Sequence, residues 1–275
     1  MAEEPTRTQT PPGAGGDGDG ETSGVVVQSS LRRDVHAVFA RAELDQLDRE
    51  FLAHAATLGP LPGEPALTAM RQALGAATLQ LALLPPDQFC SWTFNVAAPP
   101  FNVFLAGDNG DFQITGRIFS EGVKVAGTSR LFVETQRPDH LPSRSVVEFD
   151  GLDVLGAVHQ YYRRALQMRA RLFDLGARDV VLIQGLPTVD EDWLAGLDAE
   201  AARGAVEGAE PIERRRYRFR CGCDFQRIRL VVHEMFAGAD RLDELFGAEL
   251  EVEVQCPRCG RRWWLSRASL EGGQA

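Results

Sequence analysis

Phe219-Arg220-Cys221-Gly222-Cys223 and Cys256-Pro257-Arg258-Cys259-Gly260 place four cysteines in two close pairs near the end of a 275-residue chain. Four thiolates in two pairs are what a tetrahedral, sulfur-preferring Zn²⁺ takes. The spacing Cys-x-x-Cys puts both sulfurs of the second pair on one side of a tight turn, and Pro257 and Gly260 favour that turn. Leu250, Val252 and Val254 alternate with Glu251 and Glu253, so a strand feeds Cys256 and supports it. Cys221, Cys223, Cys256 and Cys259 are therefore the predicted ligands of one Zn²⁺, closing a small C-terminal module. A filled site carries two excess negative charges, and Arg220, Arg258, Arg261 and Arg262 lie beside it in sequence, where cations stabilise thiolates. Each pair is also short enough to oxidise locally. An inert zinc staple and a redox switch are thus both open on the residues alone.

Moving outward, the module begins near Glu213. A basic strand (Arg214 to Arg220) leads to the first pair. Helices are predicted from Phe225 to Phe236, with Asp224 as N-cap, and from Asp240 to Phe246. The chain ends with a strand from Arg261 to Leu265 and one last turn. Upstream, Asp179 to Leu186 is a compact β-branched run, a buried strand. Between them Asp190 to Val206 is rich in Ala, with Trp193, Leu194 and Leu197 as its few apolar anchors, and predicts a weak helical linker.

The first half mixes strands and helices. Val25–Ala42 predicts a strand pair turning at Leu31-Arg32-Arg33-Asp34. Helices follow at Ala42–Thr57 and Ala66–Leu84, the second stopped by Pro85-Pro86. Phe89–Val96 alternates, and Asp108-Asn109-Gly110-Asp111 marks a hairpin between Phe101–Ala106 and Phe112–Ile118. Further strands are predicted at Val123–Ala126, Arg130–Thr135 and Ser145–Phe149, and a long helix at Leu152–Leu172. The fold class is α+β. Its parts are a tail over residues 1–24, a mixed α/β body over 25–187, a helical linker over 188–212 and the zinc module over 213–275. Residues 1–24 hold no Val, Ile, Leu or aromatic side chain and cannot offset their ordering entropy, which predicts disorder.

Composition narrows the function. Hydrophobic residues make up 44% of the chain, enough for a core, and the net charge is −10 with a pI of about 5.1. Such a chain repels phosphate backbones. Arg214-Arg215-Arg216-Tyr217-Arg218-Phe219-Arg220 and Arg261-Arg262-Trp263-Trp264 interleave bases with aromatics as nucleic-acid surfaces do, but against that balance a zinc-ribbon nucleic-acid binder is the lesser alternative. No apolar run approaches the roughly twenty residues of a membrane span. The start Met-Ala-Glu-Glu-Pro is no signal peptide. A cytoplasmic protein with reduced thiols is expected. Cys90 lies in an alternating strand and predicts a buried core thiol. The five histidines show no metal spacing. No phosphate loop, nucleophile elbow or zincin motif is present, so no enzyme is expected.

The cysteine segments, the helix after Cys223, and the run Gly247–Val254 resemble the zinc module of the redox-regulated 33 kDa heat-shock chaperones. Val181-Leu182-Ile183-Gln184-Gly185-Leu186-Pro187 is similar to that family's strand ending in Ile-Gln-x-x-Pro, and Leu152–Arg164, with Tyr161-Tyr162, to its preceding helix. The resemblance spans about Val25 to Leu270. It implies a substrate-binding body and an ATP-independent holdase that is zinc-bound and inactive when reduced. It further implies that oxidation joins Cys221 to Cys223 and Cys256 to Cys259, releases zinc, unfolds module and linker, and exposes surface for unfolding client proteins. A homodimer is a state open to the oxidised form. Two departures stand out. The linker from Pro187 to Cys221 is shorter than usual for the family, and the Pro/Gly-rich N-terminal extension has no family counterpart.

Overall fold

Period-two burial decides most of this architecture. The computed structural model describes residues 23–124, 127–236 and 239–271. The fold is α+β, and a ten-stranded sheet is its backbone. Strands β1 (Val25–Arg32) and β2 (Ala37–Glu43) form the first hairpin, followed by helices α1 (Asp45–Ala56) and α2 (Glu64–Leu83). Five antiparallel strands follow: β3 (Phe89–Val96), β4 (Phe101–Asp108), β5 (Gln113–Phe119), β6 (Ser129–Gln136), which crosses back to pair with β3, and β7 (Ser143–Phe149). Then come α3 (Val154–Gln160), β8 (Ala170–Asp174), β9 (Asp179–Gly185), α4 (Glu191–Gly196), α5 (Ala199–Glu207) and β10 (Glu210–Phe219). The C-terminal part holds α6 (Phe225–Met235), α7 (Ala239–Phe246), the two-stranded sheet of β11 (Glu251–Gln255) and β12 (Arg262–Ser266), and α8 (Arg267–Glu271).

The strand order is β7-β6-β3-β4-β5-β10-β1-β2-β9-β8. Strand β10 pairs antiparallel with β1 from Val25↔Tyr217 to Leu31↔Glu210, but touches β5 in parallel only at Arg218↔Gln113 and Phe219↔Ile114. Two half-sheets therefore meet at a narrow seam. One face of both halves buries Cys90, Trp92, Phe94, Val103, Leu105 and Leu182 against α1, α2 and α3. Helix α2 is buried on nearly every side, and Gly107 opposite it leaves room for Leu81, whose Cδ1 would lie 2.1 Å from a Cβ there. The opposite face of β2, β9 and β8 buries Phe39, Val181, Ile183 and Phe173 under α4 and α5. Alternate residues of β9 thus serve two cores, which is why its sequence is apolar without alternation.

Several expectations change. The helix predicted over Leu152–Leu172 ends at Gln160, passes through a π-turn at Tyr161–Ala165 and gives way to β8. Gln167 takes φ +54 and turns the chain, and Ala170–Asp174 pairs with β9, so sheet pairing overrides helical periodicity. The π-turn lets the adjacent Tyr161 and Tyr162 both be buried. The Asn-Gly hairpin forms, but with residues 109–112 between the paired Asp108 and Gln113, and Phe112 carries the positive φ. Asn109 is spent otherwise: buried, its amide donates to the Leu81 and Pro85 carbonyls at 2.9 Å and its oxygen accepts from Tyr217 Oη at 2.7 Å. The first hairpin turns at residues 33–36, later than expected, with His36 at φ +51.

The linker segment is two helices, not one, each capped by an aspartate: Asp190 accepts from Trp193 N and Asp198 from Ala201 N. The boundary expected at residue 213 falls inside β10. That strand buries Tyr217 and Phe219 in the main core and so belongs to the large sheet. Of the strand expected at Val123–Ala126, residues 123–124 are not in a strand and 125–126 lie outside the described residues. Residues 1–22 of the expected tail also lie outside them. Among the described residues no helix is long and apolar enough to cross a membrane.

Candidate metal centre

Strand β10 delivers the first cysteine pair. Arg220, just past the strand, still bonds Ile114 O through its N at 2.9 Å, and Cys221 follows it. Arg227 then folds back to donate from Nη1 to Gly222 O at 2.7 Å, and Asp224 caps α6 by accepting from Arg227 N at 2.8 Å. The second pair sits in the turn between β11 and β12. Cys256 N donates to Arg261 O at 2.8 Å and Gly260 N to Cys256 O at 3.0 Å. Gly260 takes φ +81, and a Cβ there would meet Arg117 and Leu58 at 3.1 Å. Glycine is required both by the turn and by what lies against it.

The four sulfurs converge. All lie within 4.8 Å of one another, with Cys221 Sγ 3.8 Å from Cys256 Sγ and Cys223 Sγ 3.4 Å from Cys259 Sγ. Tetrahedral zinc with Zn–S near 2.3 Å puts its sulfurs about 3.8 Å apart, so the residues present fit that ion. Both of these contacts run between the pairs, so the two loops meet at the sulfurs. Cys256 and Cys259 are buried, and Cys221 and Cys223 half-buried.

The thiols do not share one acidity. Hydrogen bonds from Cys221 and Cys223 pull Cys256 below the usual thiol value and Cys259 down to about 7. Cys223 is pushed up by its sulfur contacts with Cys221, Cys256 and Cys259 and by burial. Cys221 is lowered by Cys223, but Cys256, Cys259 and burial outweigh that and raise it. Four thiols packed this closely cannot all ionise at no cost without a cation between them. A divalent cation displaces the thiol protons and relieves the crowding.

Of the arginines adjacent in sequence, Arg258 stacks over Phe89 at 4.7 Å and Arg262 pairs with Glu253 at 3.3 Å. A further arginine, Arg117 on β5, lies against Gly260 and feels the charges of Cys256 and Cys259, although burial, the larger effect, holds it below its ordinary value. Its place near the site has no signal in local sequence. His54 shows no metal spacing in the sequence, yet its Nε2 lies 2.8 Å from Cys259 O. Cys90 is where it was expected, fully buried in β3 and outside the cluster, its thiol pushed up to about 12 by burial.

Comparison with known proteins adds the fold. No family model and no curated protein matches the chain. Among solved structures it is similar to the crystal structure of the 33 kDa chaperonin (heat shock protein 33 homolog) of Thermotoga maritima, with a TM-score of 0.65 and 14% sequence identity over 90% of this chain and 96% of that one. The chain thus has the fold of that chaperonin, with its own four cysteines gathered at one point.

Proposed function

We propose that this chain is a zinc-binding, redox-regulated holdase chaperone of the 33 kDa heat-shock type. The observation that carries the reading is the convergence of Cys221, Cys223, Cys256 and Cys259 within 4.8 Å on a fold similar to the Thermotoga maritima chaperonin. Bound zinc would supply folding free energy to the module. The module's own core is small: Val232, Leu242, Phe246, Leu265 and Leu270 are its buried apolar residues. Apart from the metal, little holds it.

On oxidation, Cys221 with Cys223 and Cys256 with Cys259 would each form a disulfide. Each pair of thiolates gives two electrons to hydrogen peroxide, whose O–O bond breaks as an S–S bond forms, and two protons from solvent complete the two waters that leave. Disulfide sulfur is a poor ligand, so the chain gives up its metal. Pairing within each segment also removes the sulfur-to-metal link between them, leaving only the small core and hydrogen bonds such as Arg229 to Ser269 O to join the two segments. Leu230, Val231 and Met235 on α6 are already exposed and extend the apolar surface an unfolded module offers to unfolding proteins. No ATP site or catalytic step enters the reading, and the compartment it requires is one that keeps thiols reduced.

One observation favours a second reading, a constitutive zinc staple. Linker and module are separated by β10, which is locked into the sheet centre. Melting of the module is not passed to the linker by chain continuity. A single experiment divides the two. Reduced, zinc-loaded protein is assayed for zinc release and suppression of client aggregation, before and after peroxide with mild heat, then after thiol. The switch predicts release and holding together, both reversed by thiol. Zinc that stays, or leaves with no gain in holding, refutes the switch.

A further inference from the structure

The cysteine site touches the body at side chains far from it in sequence. We propose that Arg117 and His54 are working parts of the metal site: Arg117 as the charge partner of the Cys256 and Cys259 thiolates, and His54 as the residue that positions the Cys259 peptide. Metal retention then depends on docking of the module against the body. This rests on the metal reading above.

Arg117 is a cation in search of a counter-charge. It is half-buried, its buried Nε has no hydrogen-bond partner, and it makes no ion pair with a carboxylate among the described residues. Its guanidinium is fixed by stacking over Phe119, with Cζ 3.9 Å from the ring centroid. It lies directly against the knuckle, since a Cβ on Gly260 would be 3.1 Å from its Cδ and Nη1. Burial holds its guanidinium below the ordinary arginine value; against that, the Cys256 and Cys259 thiolates favour its charged form, and Arg262 opposes it. Four thiolates around a divalent ion leave two negative charges partly out of water, where an unmatched charge is expensive. Arg262 is engaged by Glu253 and Arg258 by Phe89, whereas Arg117 has no acid of its own among the described residues.

Helix α1 holds both halves of the site. Glu50 Oε2 accepts from Phe219 N at 2.8 Å, two residues before Cys221. One helical turn on, His54 Nε2 meets Cys259 O at 2.8 Å, so that nitrogen carries the proton and donates. The His54 ring also lies against Phe219, centroids 5.9 Å apart, and Phe51 packs edge-on against the same ring at 5.6 Å. The two cysteine segments are thus gripped by neighbouring turns of one helix. Coupling of this kind is reciprocal: a dock that helps hold the metal is loosened when the metal goes. It also bypasses the linker.

The test uses the full chain, reduced and loaded with Co²⁺ or Zn²⁺. Sulfur-to-cobalt absorption reports an intact four-thiolate shell, and transfer of Zn²⁺ to a chromogenic chelator reports retention. Arg117→Gln should keep the cobalt spectrum yet release zinc about tenfold faster, the lower end of what outer-shell partners contribute. Arg117→Lys should restore most of the retention, and His54→Leu should release faster where His54→Gln, which keeps a donor, releases less. Arg144→Gln, a stacked arginine elsewhere on the sheet, should match wild type. Wild-type release from Arg117→Gln overturns the inference, and equal acceleration by Arg117→Gln and Arg117→Lys overturns the charge role. A wild-type chain that takes up no cobalt overturns the metal reading itself, and the inference with it.

Discussion

The linker helices and the cysteine module follow each other in the chain but are held by different physics. Helices α4 and α5 bury Leu194, Leu197, Ala202 and Ala205 against the back of β2, β9 and β8. They are also tied at their ends. Arg171 Nη1 reaches the carbonyls of Leu194, Ala195 and Leu197 at 2.7–3.2 Å, stacking on Phe173, and Arg203 donates to the Leu175 carbonyl. The module has a small core and four sulfurs that need a cation to stay together. A segment that looks weak by composition is anchored by the sheet, while the one that looks anchored by cysteines has only a small core of its own and would rest on a bound metal. The expected order of events is therefore module first, with α4 and α5 retained.

The sharpest way to break that contrast is Cys256→Ser. Loss of one ligand should abolish stoichiometric zinc binding and remove free energy on the order of 10 kcal/mol from the module. Hydrogen exchange should then show residues 221–271 unprotected and α4 and α5 still protected. Simultaneous loss in both regions would show that they form one cooperative unit. Leu194→Ala probes the opposite side. Truncating this buried side chain should cost about 2–5 kcal/mol in denaturant unfolding of the body and leave zinc retention at its wild-type value.

Alkaline titration separates the regions by pH. Burial pushes Cys90 and Tyr161 up to about 12, and burial likewise pushes Tyr217 to about 12. All three are acids that bind their protons more tightly in the folded state. Their contribution is fully present below the unfolded values of 9.0 for Cys90 and 10.0 for the tyrosines, and is lost as pH rises towards about 12. Tyrosinate absorbance should thus appear together with loss of body structure, not with an ordinary midpoint near 10. In the same vein, a metal-free reduced chain at neutral pH should offer the four module thiols to a disulfide reagent at once and Cys90 only after denaturation. The smallest effect is expected at a cap: Asp198→Ala should cost about 1 kcal/mol, read as faster exchange in the first turn of α5.

Much of this was legible in the chain. Phe89–Val96 alternates and forms β3 with those bounds, and Asp224 caps α6 as predicted. Where reading by period failed, a distant partner had intervened. Ala170–Asp174 is a strand because β9 offers an edge, and Asn109 leaves its turn role because Tyr217 and the end of α2 need a buried amide.

The sequence by itself determined that four cysteines in two pairs would meet, because each pair is set by a few bonds of local chain and thiols so spaced share a common ligand chemistry. It also determined the apolar alternation that makes the sheet. Only the tertiary structure decided where the module rests and which charges it meets. Residues 54, 117 and 259 are brought together by strand order and by the seam between β5 and β10. Such pairing depends on the whole sheet closing at once, and no short stretch of sequence encodes it.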